Sequence, residues 1–161
     1  MERKHIGFEM LIYPDRQALT EADRELLAQA EQAARSAYAP YSRFRVGAAV
    51  RMDNGEVVLG SNQENASFPS GLCAERVAVF QAGARYPGVA IRCIAIHVNP
   101  EGAQDDEPAA PCGNCRQSIH EYEFRQQSPI RYLLQASGGR VFECPSTAAL
   151  LPLGFGPNAL L

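Results

Sequence analysis

Cys73, Cys112 and Cys115 are the residues of this chain best suited to chemistry, because three thiols in two short motifs make a metal-ligand set. Cys73 lies in Pro69-Ser-Gly-Leu-Cys-Ala-Glu-Arg76. There Pro69 and Gly71 break the chain, Ser70 is available as a cap, and Val77, Ala78, Val79 and Phe80 continue inward as a helix. Its thiol then sits at the positive end of a helix dipole, where a thiolate is favoured. Cys112 and Cys115, in Pro111-Cys-Gly-Asn-Cys-Arg116, stand one helical turn apart, so both sulfurs reach a single ion from the start of a second helix. The 39-position step from Cys73 to Cys112 leaves room for a helix, a strand and a return. Zinc suits three thiolates, and a catalytic zinc site keeps three protein ligands and a fourth position for water. Glu75 is then a carboxylate to spare beside the ion.

The elements that must position these residues follow from the patterning of the rest of the chain. Thr20, with Asp23 three residues later, starts a helix whose apolar face is Leu26, Leu27, Ala30, Ala33, Ala34 and Ala37, ending before Pro40. An irregular aromatic stretch, Tyr38 to Arg45, leads into a strand of small residues over Val46–Val50. Asp53-Asn54-Gly55 is a hairpin turn, so the next strand, Val57 to Gln63, pairs antiparallel and delivers Asn62, Glu64 and Asn65 to its far end. After the first site helix come an apolar strand, Ile91–Val98, and an acidic connection, Asn99–Pro111, with Glu101, Asp105, Asp106 and Glu107 read as a solvated excursion. The second site helix runs from Gly113 to Phe124, followed by strands Ile130–Gln135 and Val141–Cys144. Residues Ile6–Tyr13 read as an edge strand in an N-terminal extension over residues 1–19. This order predicts an α/β fold, a three-layer α/β/α arrangement with a mixed central sheet of about five strands, as a single domain over residues 1–161.

Composition narrows the function classes. The chain has 161 residues, 46% hydrophobic and 20% charged, enough for one real core. A formal net charge of −3 and a pI near 5.6 carry no cationic footprint, which argues against a nucleic-acid partner and for a small-molecule substrate. No apolar run approaches the roughly 18 residues of a membrane span, and Met1-Glu2-Arg3-Lys4-His5 is not a secretory leader, so the expected setting is cytoplasmic, away from membranes. Cysteines there are ligands or core thiols; Cys93, inside an apolar strand, and Cys144 are read as core. Five helical positions place His120 roughly 140° round from Cys115, facing away from the metal. His97 is read as a sheet residue and His5 as exposed.

Five ordered motifs then carry a resemblance. Tyr38-Ala-Pro-Tyr-Ser-Arg-Phe-Arg-Val-Gly-Ala-Ala, Asn62-Gln-Glu-Asn-Ala-Ser, Cys73-Ala-Glu-Arg, Pro111-Cys-Gly-Asn-Cys-Arg-Gln and Leu150-Leu-Pro-x-x-Phe together resemble the small homotetrameric zinc-dependent cytidine deaminases. The resemblance implies one zinc ion per chain on Cys73, Cys112 and Cys115, and Glu75 as the proton shuttle in hydrolytic deamination of cytidine and 2′-deoxycytidine. It also implies that Arg76, with Arg116 as a second donor, draws charge from the thiolates, since three of them around zinc leave a formal charge of −1. Asn62 and Glu64 are implied to grip the ribose 3′-hydroxyl, Phe44 to line the base pocket and Ala66 to offer backbone groups to the base edge. Phe155, on an apolar tail, is implied to stack on the base of a neighbouring subunit of a homotetramer. The competing readings are a deaminase of another amino-pyrimidine or aminopurine, a non-catalytic zinc domain closed by Cys93 or Cys144, and a polynucleotide editor, which the acidity disfavours.

Overall fold

The computed structural model describes residues 1–100 and 106–160, with Pro100 as backbone only. A six-stranded mixed sheet forms its middle layer, in the order β1-β6-β5-β4-β2-β3. The strands are β1 (Leu11–Tyr13), β2 (Phe44–Met52), β3 (Val57–Ser61), β4 (Ile91–Pro100), β5 (Arg131–Gln135) and β6 (Val141–Cys144). Only β4 and β5 run parallel, because the helix α3 (Gly113–Gln126) crosses over between them; every other pair is antiparallel. The sixth strand, beyond the five of the expected core, is β1 at the sheet's edge. It is shorter than the alternation over Ile6–Tyr13 suggests. Its register sets Leu11 opposite Glu143, which brings Glu9 opposite Pro145, a residue without an N–H to donate.

Alternation along the strands divides the core in two. Ala49, Cys93, Ala95 and Leu133 turn to one face and pack with Leu26, Leu27 and Ala30 of helix α1 (Glu21–Ala34). Ala48, Val50, Ile94, Ile96 and Leu134 turn to the other, against α2 (Ala74–Arg85) and α3. Helix α1 begins at Thr20, whose hydroxyl accepts from the Asp23 N–H as the sequence implied. Two glycines let helices lie directly on the strands. A Cβ on Gly47 would stand 1.9 Å from the Ala30 carbonyl oxygen of α1, and one on Gly60 would stand 2.5 Å from the Ala74 carbonyl oxygen of α2.

Some boundaries move for physical reasons. The strand expected over Val57–Gln63 stops at Ser61, after which Gln63 bridges to both Tyr38 and Leu72. The hairpin at Asp53-Asn54-Gly55 forms, with Gly55 at φ 86°. The tail makes a short helix, α4 (Thr147–Leu150), whose Thr147 and Ala148 N–H groups are capped by Glu123 of α3. Leu150 is buried, whereas Leu153, Phe155 and Leu160 are exposed. In the acidic connection, Glu101 and Asp105 lie outside the described residues, and Asp106 and Glu107 are exposed. Among the described residues no helix is long and apolar enough to cross a membrane.

Candidate active site

Helices α2 and α3 both start at the carboxyl end of β4, and a cysteine caps each: Cys73 is the N-cap of α2 and Cys112 that of α3. Ser70, the residue expected to cap α2, instead lies in a short 3₁₀ turn over Phe68–Ser70. Neither cysteine makes a side-chain cap bond, so both sulfurs are turned to each other. The Cys73 and Cys112 Sγ atoms are 3.7 Å apart, and those of Cys112 and Cys115 3.6 Å apart. All three lie within 4.8 Å of one another, and among the described residues no other His, Cys, Asp or Glu joins the group.

This geometry passes a direct test of fit. Four ligands at about 2.3 Å in a tetrahedron stand about 3.8 Å apart, close to the sulfur separations seen. Three thiolates with no fourth protein ligand are the donor set of an open zinc site. Cys93 and Cys144, which the structural-domain alternative needed, are buried in the two core clusters and belong to neither side of this group. His120 likewise lies elsewhere, in a hollow beneath the C-terminal tail beside Phe155.

The electrostatics around the sulfurs are strongly coupled. The Cys73 thiol is pushed down to about 5, first by hydrogen bonding from Cys115, then by Cys112 and Arg76, against the effect of burial. Cys115, the donor in that pair, is pushed up. Burial disfavours the Arg76 charge, yet bonding to Cys73 and Cys115 more than offsets this and raises its pKa. Its Nε is buried with no hydrogen-bond partner of its own. Glu75, in the first turn of α2, is pushed up to about 7, chiefly by burial and further by the charge of Cys73. A carboxyl at that value both gives and takes protons near neutrality.

Glu75, Cys73 and Cys112 line a cavity of about 440 Å³. Phe44 and Val46 of β2 and Ile96 and Val98 of β4 form its apolar wall, while Ser42, Asn62 and Glu64 stand at its rim. A second hollow of about 580 Å³ shares Ser42, Asn62, Glu64 and the two cysteines with it and extends to Tyr41, Phe68, Arg76 and Asn114. The volume and the apolar wall with few polar groups suit a small flat ligand.

The remaining residues singled out by sequence divide. Asn62 and Glu64 do meet at the rim, but beyond the end of β3, with their side chains bonded to the backbone of residues 41–46. Arg116 differs from expectation: its Nε donates to the Pro111 carbonyl at 2.7 Å and its Nη1 to the Leu150 carbonyl at 2.8 Å, so its contacts are backbone oxygens and not thiolates. It ties the α3 cap to α4. Ala66 sits in an exposed bend and Phe155 on the exposed tail, and neither lines the cavity around Glu75. Ser42, Ala109 and Ala110 line that cavity without having been singled out. Only Ser42 had a signal, its place inside the Tyr38–Arg45 motif.

Comparison with known proteins agrees with this geometry. Residues 20–128 match the family model described as the cytidine and deoxycytidylate deaminase zinc-binding region. A cytidine deaminase of Halalkalibacterium halodurans is 45% identical over 102 residues, 62% of this chain and 71% of that protein. One of Sporosarcina psychrophila is 36% identical over 139 residues, 84% of this chain and 93% of its own. The crystal structure of cytidine deaminase from Burkholderia pseudomallei superposes with a TM-score of 0.71 at 38% identity, covering 85% of this chain and all of that one. With the cysteine cluster, the buried glutamate and this match over two thirds of its length, the chain belongs to the zinc-binding cytidine and deoxycytidylate deaminase family.

Proposed function

We propose that this protein catalyses the zinc-dependent hydrolytic deamination of cytidine and 2′-deoxycytidine, giving uridine or 2′-deoxyuridine and ammonia. The observation that carries this reading is Glu75, buried beside three converging sulfurs at the floor of a cavity sized for a nucleoside. Cys73, Cys112 and Cys115 hold the ion, one per chain. When bound, zinc supplies Lewis-acid activation of the attacking water. Glu75 takes a proton from that water and delivers it to the ring nitrogen next to the amine-bearing carbon. It then carries the second water proton to the departing amine, so both protons end on the uracil ring and on ammonia. Arg76 lowers the net negative charge of the three thiolates, which otherwise opposes deprotonation of water.

Phe44 forms the wall against which the base lies, and Asn62 and Glu64 meet the sugar hydroxyls, which favours a nucleoside over a free base. Phe155 is exposed and outside this chain's own cavity, which supports reading it as a contribution to a neighbouring subunit's site in a homotetramer, while Ala66, in an exposed bend, is read as offering backbone groups to the base edge. Residues 1–161 act as one deaminase domain, with residues 1–19 an extension whose strand joins the same sheet. Five free cysteines favour a reducing compartment, the cytoplasm. The test is ammonia release from cytidine and 2′-deoxycytidine by the zinc-loaded protein, before and after a chelator. Chelator-sensitive release is expected; no release on either nucleoside overturns the assignment.

A further inference from the structure

The rim of the cavity runs from residues 38–43, outside helix and strand, into the start of β2, where Phe44, Arg45 and Val46 pair with β4. Between Tyr38 and the paired part of β2, Arg43 takes φ 57°, a left-handed conformation that a side-chain-bearing residue keeps only when its surroundings over-determine it. The Arg43 N–H donates to the Ala39 carbonyl at 3.1 Å, and two side chains hold the residues on either side. Glu64 Oε2 accepts from the N–H groups of Tyr41 at 2.9 Å and Ser42 at 3.3 Å, just before Arg43. Just after it, Asn62 Nδ2 donates to the Phe44 carbonyl at 2.9 Å, and Asn62 Oδ1 accepts from the Val46 N–H at 2.8 Å. Ser42 Oγ closes the turn by accepting from the Phe44 N–H at 3.0 Å. The backbone adds Tyr38 N–H to the Asn62 carbonyl and Glu64 N–H to the Tyr38 carbonyl.

Resting on the reading above that Asn62 and Glu64 meet the sugar, we infer that both are also positioning residues for the Tyr41–Val46 rim. Glu64 Oε2 and the Asn62 amide hold Arg43 left-handed and set Phe44 against the cavity, while Glu64 Oε1, free of the rim's N–H groups, is the acceptor left for a sugar hydroxyl. One carboxylate thus serves two tasks through two oxygens. The base-binding wall then depends on Glu64 even for a ligand with no hydroxyl to grip.

That dependence separates the inference from a role in sugar binding alone. The experiment measures kcat and KM of the zinc-loaded enzyme on 2′-deoxycytidine and 2′,3′-dideoxycytidine, with backbone amide exchange over residues 38–46 in the absence of nucleoside. Glu64→Ala is expected to speed exchange across that segment, and to cut kcat/KM by about tenfold or more on both substrates while zinc content is kept. Glu64→Gln keeps an acceptor for the two N–H groups. It is expected to retain slow exchange and to lose less activity on dideoxycytidine than Glu64→Ala does. Ser42→Ala, which removes both the acceptor for Phe44 and the hydroxyl bonded to Glu64, is expected to move exchange in the same direction and gives the answer should Glu64→Ala not fold. Unchanged exchange in Glu64→Ala and Ser42→Ala, or a Glu64→Ala loss confined to 2′-deoxycytidine, overturns the inference. Absence of turnover on any cytidine nucleoside sinks the deaminase reading instead, and the exchange measurement still decides this one.

Discussion

Two carboxylates in this molecule are each 5% exposed, each in the first turn of a helix, on opposite faces of one sheet: Asp23 on α1 and Glu75 on α2. Burial pushes both carboxyls up. At Asp23 the effect is more than offset by hydrogen bonds and charge from Arg131, with help from Thr20 and Arg51, so the group is held below the usual carboxylate range. Arg131 in turn bridges to Glu143, which accepts from the Tyr13 hydroxyl, so the ion pairing ties α1 to β2, β5, β6 and the edge strand. Glu75 has no such partner. Beside it lie thiols and the Arg76 charge, which does not offset burial, and its carboxyl rises to about 7. The same residue class at the same depth is thus held below the usual carboxylate range on one face and raised toward neutrality on the other. What differs is whether an arginine bonds the carboxylate directly.

Substitutions on the two faces should therefore separate activity from stability. Glu75→Gln is expected to lower kcat by about 10²–10⁴, the range of a lost general acid–base group, with zinc content and melting temperature at pH 7 retained. Steady-state kinetics beside metal analysis and thermal unfolding check this, and retained turnover removes the proposed role. Next in size, Gly60→Ala drives a methyl into the Ala74 carbonyl beside Cys73, whereas Gly47→Ala drives one into α1. Each should cost about 1–3 kcal/mol as overpacking, measured by denaturant unfolding, but only Gly60→Ala should also lower zinc affinity.

Asp23→Asn leaves Arg131 and Arg51 short of an anion and should destabilise by about 1–3 kcal/mol, with kcat on cytidine unchanged. The smallest expected effect is its pH dependence. Because the folded carboxyl lies below its unfolded value of about 3.9, its contribution is present above that pH and is lost as the pH falls through the folded value. The gap in melting temperature between the wild type and Asp23→Asn should therefore close on acidification below about pH 4. A gap that persists or widens there contradicts the assignment of Asp23 as an ion-paired anion.

Half of the metal centre was legible because it is local: Cys112 and Cys115, one turn apart at a helix start, are tied to one ion by spacing, whereas Cys73, 39 positions earlier, carries only the short-range signal of a cysteine at a helix start. Strand alternation and the Asp53-Asn54-Gly55 turn likewise located the hairpin and the sheet. Ser70 has the chemistry of a cap, but the chain turns through Phe68–Ser70 and puts Cys73 at the helix start instead. The resemblance offers Arg116 as a second donor to the thiolates, but an arginine reaches far enough to choose among partners, and the Pro111 and Leu150 carbonyls lie within its span.

By itself, then, the sequence determined the identity of the three sulfur donors, the presence of a spare glutamate beside them and the layered order of helices and strands. Those depend on contacts within a few residues or on periodicity. Only the tertiary structure decided that Asp23 is paired and Glu75 is not, that Asn62 and Glu64 spend bonds on the rim, and that Ala66 and Phe155 lie outside their own chain's cavity. Each of those depends on which distant backbone or charge a side chain meets once the sheet has formed, and no local pattern encodes that meeting.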